Sequence, residues 1–237
     1  MHFHIDTDYS FLPPYGIMII LSFVAGCLGM YLLNVRRGIR KDIARYLLVL
    51  LPMMSVFCGI GLTVITSGGT NFGLSSLGGL AGVYAAAFTM GLISPNKGDL
   101  RIMAETGTIV LPLMYSVSKM GCFFAGCCSG IPYEGIFAVE YTGGNAHDGA
   151  VFPVQLTETL VFLLIFAAGV VLYLKQKRFA VPAVFLVSVL AKFALDFVRE
   201  SHIGITLSVT QILCLVLAAI GIVWLIKNRV SVLISRK

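Results

Sequence analysis

Arg36-Arg37-Gly38-Ile39-Arg40-Lys41-Asp42-Ile43-Ala44-Arg45 places five cations in ten residues between two apolar stretches, Tyr15 to Leu33 and Tyr46 to Thr66. Cytoplasmic loops of membrane proteins collect lysine and arginine, so this segment marks one side of a bilayer. Three further polar breaks carry the same signature: Lys97 and Arg101; Lys175, Lys177 and Arg178; and Lys227, Arg229, Arg236 and Lys237. Together they hold fourteen of the seventeen lysines and arginines. The other three, Lys119, Lys192 and Arg199, lie in or beside apolar stretches.

The composition agrees with a membrane reading. Of 237 residues, 58% are hydrophobic and 12% charged, and the mean hydropathy is +0.93. A soluble globule of this size needs more polar surface. The pI near 9.1 reflects loop anchors that also favour anionic headgroups, so it implies no nucleic-acid partner. The start, Met-His-Phe-His-Ile-Asp, has neither the basic region nor the cleavage site of a signal peptide, and the first span is expected to be retained, with the whole chain mature.

Crossing the hydrocarbon takes about 20 apolar residues as helix. Seven such stretches are expected, at 15–33, 46–66, 72–94, 102–124, 152–174, 179–198 and 205–226. The fold class is therefore an all-α polytopic membrane protein, one transmembrane domain over 1–237, with the N-terminus outside and the C-terminus cytoplasmic. With that path all fourteen loop cations fall inside. The outer connections, Ser67 to Asn71, Ala125 to Val151 and Glu200 to Gly204, contain no lysine or arginine, and His2, His4, His147 and His202 all fall outside. Six or eight spans would break this agreement.

Lys119 and Lys192 then lie in the outer half of their spans, and Glu158, early in an inward span, reaches a similar depth. Lys192, Asp196 and Arg199 are spaced by four and three residues, one helical face. Ionisable groups at such depth are costly unless they pair or meet water. Three cations against two acids make a net positive pocket suited to a phospholipid headgroup entering from the outer leaflet. The alternative is pairing for packing alone, Lys192 with Asp196 and Lys119 with Glu158. Glu105, near the cytoplasmic end of its span, reads as a solvated or capping residue.

Lys119-Met-Gly-Cys-Phe-Phe-Ala-Gly-Cys-Cys-Ser-Gly130 sets Cys122, Cys127 and Cys128 among glycines where the fourth span reaches the outer face. Cys27, Cys58 and Cys214 read as small buried hydrophobes. The trio could react, pair or bind metal. A Cys122 disulfide to Cys127 or Cys128 is geometrically possible, whereas adjacent cysteines pair with difficulty. No CxxC and no zinc-like cysteine–histidine spacing occurs, so metal is the weaker option, and no metal or cofactor is expected.

These motifs resemble the prolipoprotein diacylglyceryl transferase family, seven-span enzymes that move diacylglycerol from phosphatidylglycerol to the lipobox cysteine of a secreted precursor. The family signature reads Gly-Arg-x-x-Asn-Phe-x-Asn-Gly-Glu-x-x-Gly, and here Ser118, Lys119, Cys122, Phe123, Ala125, Gly126, Cys127 and Gly130 hold the corresponding places. The form Gly-Cys-Phe-x-x-Gly-Cys-Cys-x-Gly resembles a divergent, cysteine-bearing branch. Phe152-Pro-Val-Gln-Leu-Thr-Glu158 is similar to Tyr-Pro-x-Gln-Leu-Tyr-Glu, and Lys192-Phe-Ala-Leu-Asp-Phe-Val-Arg199 is similar to Arg-Phe-x-x-Glu-Phe-x-Arg. Ile205-Thr-Leu-Ser-Val-Thr-Gln211 resembles the segment that opens the last span. The family's His-Gly-Gly aligns with Leu77-Gly78-Gly79, so leucine stands where the family has histidine. Two arginines have become Lys119 and Lys192, which keep charge but lose the bidentate fork.

The resemblance implies a multi-pass transferase of the bacterial plasma membrane, with phosphatidylglycerol or a similar anionic phospholipid and a secreted lipobox-type precursor as partners. In that reading Lys119, Lys192 and Arg199 meet the phosphate and stabilise the leaving glycerol phosphate. His202, His147 or Glu158 takes the proton of the attacking thiol. Asp196 orients Lys192. Gly78, Gly79, Cys122, Cys127, Cys128, Gly130, Gln155 and Gln211 complete the substrate-binding set. Two other functions fit the same residues: a non-catalytic anionic-lipid-binding relative, and a membrane thiol oxidoreductase using the cysteine trio, against which the missing CxxC counts.

Overall fold

The computed structural model describes residues 3–8, 13–70, 72–143, 147 and 149–234, with the backbone alone at 76 and 228–234. His2, Asn71, Arg236 and Lys237, assigned above to loops, lie outside the described residues. The described chain is mostly helical, in the order β1 (Phe3–Asp6), α1 (Pro14–Arg36), α2 (Lys41–Thr66), α3 (Ser76–Ile93), α4 (Gly98–Phe124), β2 (Val139–Thr142), α5 (Val154–Leu174), α6 (Ala180–Asp196) and α7 (Val209–Ile234), with a short 3-10 turn at Glu200–His202 between α6 and α7. Five of these helices are long and apolar enough to cross a membrane: α1, α2, α4, α5 and the Val209–Lys227 part of α7. The other two, α3 and α6, are shorter, at 18 and 17 residues.

One departure from an all-helical chain is a parallel strand pair. β1 runs beside β2 in the register Phe3 to Val139 through Asp6 to Thr142. The segments were assigned to loops because four-residue strands carry too little alternation to be read. Their pairing comes from tertiary contact, with Phe123, Val139, Tyr141 and Val151 forming a small core onto which Ile5 and Leu156 pack.

The chain forms two compact units, one of Met1–Ser22 with Pro112–Lys237 and one of Phe23–Leu111. In the second unit α2 shows an inside-out pattern. Ala44, Leu47, Leu51, Ser55 and Gly59 are buried, whereas Tyr46, Val49, Met53, Phe57 and Ile60 are exposed on the opposite face. Apolar residues at three- and four-residue spacing on the outside suit lipid rather than water. The buried face meets α3 through glycines four apart. A Cβ at Gly78 would stand 2.3 Å from the Cys58 carbonyl oxygen, and one at Gly82 would stand 2.4 Å from that of Met54. This is the small-residue packing by which membrane helices approach closely. Gly79 faces open space. The buried Thr106 hydroxyl inside this unit donates to Asn34 Oδ1 at 2.7 Å, while Asn34 Nδ2 and Ser55 Oγ are buried without partners among the described residues.

In the first unit the N-terminal half of α1 lies on the C-terminal half of α4. Ser22 Oγ donates to the Met114 carbonyl at 2.7 Å, and a Cβ on Gly121 would meet Met18 at 2.9 Å. Backbone bonds knit the connections of this unit at one end: Ile131 N to Val198 O, Glu200 N to Ser129 O, Phe152 N to Ile131 O and Thr7 N to Thr142 O. Gly130 belongs to this weave. It bridges Arg199, and a Cβ there would collide with the Phe152 carbonyl at 2.3 Å, so the glycine is required by close backbone packing.

Candidate functional site

α5 begins beside this end and buries Glu158 completely. An ionised carboxylate without water is costly unless several donors surround it, and here they do. Arg199 Nη2 donates to both carboxylate oxygens at 2.8 Å. Lys192 Nζ donates to Oε1 at 2.9 Å, Lys119 Nζ stands 3.3 Å from Oε2, and the Tyr115 hydroxyl donates to Oε1 at 2.9 Å. The three cations set apart by sequence thus converge on one carboxylate, supplied by α4, by α6 and by the residues after α6.

Asp196 is the second acid. Its Oδ1 lies 3.8 Å from both Lys192 Nζ and Arg199 Nε, and it accepts a hydrogen bond from Ser208 Oγ. Three cations and two acids leave this cluster with one surplus positive charge. Burial alone would lower the Arg199 pKa, but the Glu158 carboxylate raises it beyond its ordinary value. Arg199 Nε is buried with no hydrogen-bond partner among the described residues.

The cysteine turn follows α4. Gly126, at φ +67°, sends its N–H to the Phe123 carbonyl, and Cys127 sends its own to that of Cys122. This pattern is a Schellman cap, in which the residue after the left-handed position packs against the helix five residues back. The two residues brought together are Cys127 and Cys122. Cys128 is itself left-handed at φ +58°, and the three sulfurs lie within 4.8 Å of one another. All six cysteines are free thiols. Cys122 is buried, Cys127 half-buried and Cys128 exposed. Hydrogen bonds from the Cys122 and Cys127 thiols, with help from Lys119 and Arg199, hold the Cys128 thiol below its ordinary range.

Gln155 and His147 fasten this turn. The buried Gln155 donates Nε2 to the Cys127 carbonyl at 2.9 Å, and His147 Nε2 lies 3.0 Å from the Gly126 carbonyl. A carbonyl only accepts, so that nitrogen carries the proton. His147 Nδ1 is 3.7 Å from the Glu200 carboxylate, which also accepts from Ser129 Oγ at 2.7 Å. His202 packs edge-on against Phe197 with ring centroids 4.8 Å apart, and its Nδ1 is buried without a partner among the described residues.

Gln211 occupies a structural position. Its Oε1 accepts from Ser208 N at 2.9 Å while Gln211 N donates to Ser208 Oγ at 3.1 Å. That reciprocal pair is a capping box at the start of α7. Gln211 Nε2 and Gln155 Oε1 remain buried without partners among the described residues. Leu77, Gly78 and Gly79 belong to the other compact unit.

Two participants were not singled out from sequence. Tyr115 sits one helical turn before Lys119, and its ring lies 5.2 Å from that ammonium and 5.8 Å from Lys192's, within cation–π range. The i, i+4 spacing was its available signal. Ser208 was signalled by the Ser-x-x-Gln pattern that opens α7.

A buried carboxylate ringed by three cations thus lies in the same compact unit as the turn that gathers three thiols, and five helices among the described residues are long and apolar enough to cross a membrane. No curated protein matches the chain. The family model for prolipoprotein diacylglyceryl transferase matches residues 8–227, nearly the whole length, and the chain belongs to that transferase family.

Proposed function

We propose that the protein crosses a bacterial plasma membrane seven times, N-terminus outside, and moves a diacylglyceryl group from phosphatidylglycerol or a similar anionic phospholipid to the cysteine thiol of a secreted lipobox-type precursor. The observation that carries the reading is the convergence of Lys119, Lys192 and Arg199 on Glu158. The seven-span path is supported by the β1–β2 pairing, because an outside N-terminus and an outer 125–151 connection must share one end. At 1.5 Å per residue α3 and α6 reach about 27 and 26 Å, close to the hydrocarbon thickness of about 30 Å.

In this mechanism Glu158 is the anchor that holds three cations in place. Its oxygens are fully engaged, so it is not the base. The surplus positive charge of this cluster receives the lipid phosphate. The acceptor thiol loses its proton, with His147 and His202 as the titratable bases at this end. The thiolate sulfur then bonds to the glyceryl carbon, the bond from that carbon to the phosphate oxygen breaks, and glycerol phosphate leaves with the electron pair. Cations aimed at the departing oxygen stabilise charge that develops only in the transition state.

Purified protein in lipid, given labelled phosphatidylglycerol and a lipobox peptide, is expected to release glycerol phosphate and form a thioether-linked peptide. Lipid binding without release would leave a non-catalytic lipid binder. Release that does not require a cysteine in the peptide would refute the thiol acceptor.

A further inference from the structure

The thiol cluster of Cys122, Cys127 and Cys128 is not used by the mechanism above. Three observations set it apart from ordinary buried cysteine. The Schellman cap fixes two of its members against each other through backbone bonds. The third is held in the left-handed region, disfavoured for any residue with a Cβ, and its sulfur stays with the other two. Exposure rises from Cys122 through Cys127 to Cys128, so the cluster is closed on the helix side and open on the other.

We infer that these three thiolates bind one zinc ion, leaving its fourth position open. Zinc takes sulfur at about 2.3 Å in a tetrahedron, which sets neighbouring sulfurs about 3.8 Å apart. The sulfurs here lie within 4.8 Å, so closing the site takes side-chain adjustments of about 1 Å or less. A disulfide would need about 2.05 Å, and the thiols are free. Gln155 and His147, bonded to the Cys127 and Gly126 carbonyls, fix the loop that presents the ligands.

Three protein ligands with an open fourth position mark a catalytic rather than a structural zinc site. Resting on the transferase reading, the occupant of that position is the acceptor's thiol. Coordination ionises it outright, its proton passing to water or to one of the two histidines. The metal-bound sulfur forms the bond to the glyceryl carbon as glycerol phosphate departs, and the neutral thioether, a poorer ligand than thiolate, dissociates. Zinc changes no oxidation state and no electron donor is required.

The test is metal content and cobalt substitution of the full-length protein in detergent, purified without chelator. About one zinc per chain is expected, and Co2+ in its place should give intense sulfur-to-metal charge-transfer absorption. Cys122→Ser, Cys127→Ser and Cys128→Ala should each weaken metal binding by at least about tenfold, the least that losing even an outer partner costs. Because Cys128 is exposed, Cys128→Ala is the variant that keeps the fold, checked by an unchanged unfolding temperature of the metal-free protein. Adding a cysteine-containing lipobox peptide should shift the cobalt d–d bands, and its serine counterpart should not. No metal, copper alone, a Cys122–Cys127 disulfide in anaerobically purified protein, or equal binding by the variants would overturn the site. Bands indifferent to the thiol peptide would overturn its open position. None of these readouts uses phospholipid, so a zinc site in a protein that releases no glycerol phosphate would sink the transferase reading alone.

Discussion

Glu158 and Arg199, 41 residues apart, meet twice, because one guanidinium nitrogen donates to both carboxylate oxygens at 2.8 Å. Lys192, Tyr115 and Lys119 complete the shell around the same group. Removing the carboxylate therefore strands three cations at once. Glu158→Gln is expected to lower stability by about 3–5 kcal/mol, the cost of breaking a buried ion pair from one side, measured by denaturant unfolding in detergent. A loss under about 1 kcal/mol would show that the cations do not depend on it.

Arg199 reaches both Glu158 oxygens through one nitrogen, Nη2, and its guanidinium carries five N–H donors against three on each lysine ammonium. Arg199→Ala is expected to lower glycerol phosphate release by about 10²-fold or more, as loss of one well-placed donor does. Arg199→Lys keeps the charge but not the fork, and is expected to fall between. Activity of Arg199→Ala within threefold of the parent would remove Arg199 from the phosphate site.

The glycines of α3 separate packing from access. Gly82→Ala drives a methyl into the Met54 carbonyl and the Ser55 Cα, both 2.4 Å from its Cβ, and is expected to cost about 1–3 kcal/mol, as overpacking does. Gly79→Ala meets nothing within 4 Å and should leave unfolding unchanged. If Gly79→Ala lowers activity at full stability, Gly79 touches substrate; if both variants unfold alike, the helix contact is misread.

Helix positions and the intramembrane cations were legible because lipid forces both: backbone satisfaction demands helices, and charge in hydrocarbon demands partners. Lys192, Asp196 and Arg199 could be placed on one face from their spacing alone. What spacing could not give was the hub. Glu158 stands on another helix, and only tertiary structure shows that all three cations choose it over Asp196. The β1–β2 pair was illegible because four residues carry too little pattern. The cysteine trio was legible as a group, but not what gathers it, a Schellman cap and a left-handed Cys128, a backbone conformation that residue identity disfavours. Gln211, placed in the substrate-binding set by its resemblance to the segment that opens the last span, also caps α7 through Ser208, and its Nε2 remains buried without a partner among the described residues.

Ser208 links that cap to the charge cluster. Its Oγ accepts from Gln211 N and donates to Asp196, while its own N–H goes to Gln211 Oε1. Ser208→Ala removes half of the capping box, a loss of about 0.5–2 kcal/mol, and also frees Asp196 to turn toward Lys192 and Arg199, each 3.8 Å away. A closer Asp196 consumes the positive charge left for phosphate, so KM for the lipid should rise while kcat changes little. Gln211→Ala breaks the other half of the box and leaves the Asp196 bond intact, so it should cost similar stability without the KM effect. Ser208→Thr, which retains the hydroxyl, should restore KM. Equal KM in Ser208→Ala and Gln211→Ala would mean that Asp196 is already committed to the cations and that Ser208 serves the helix alone.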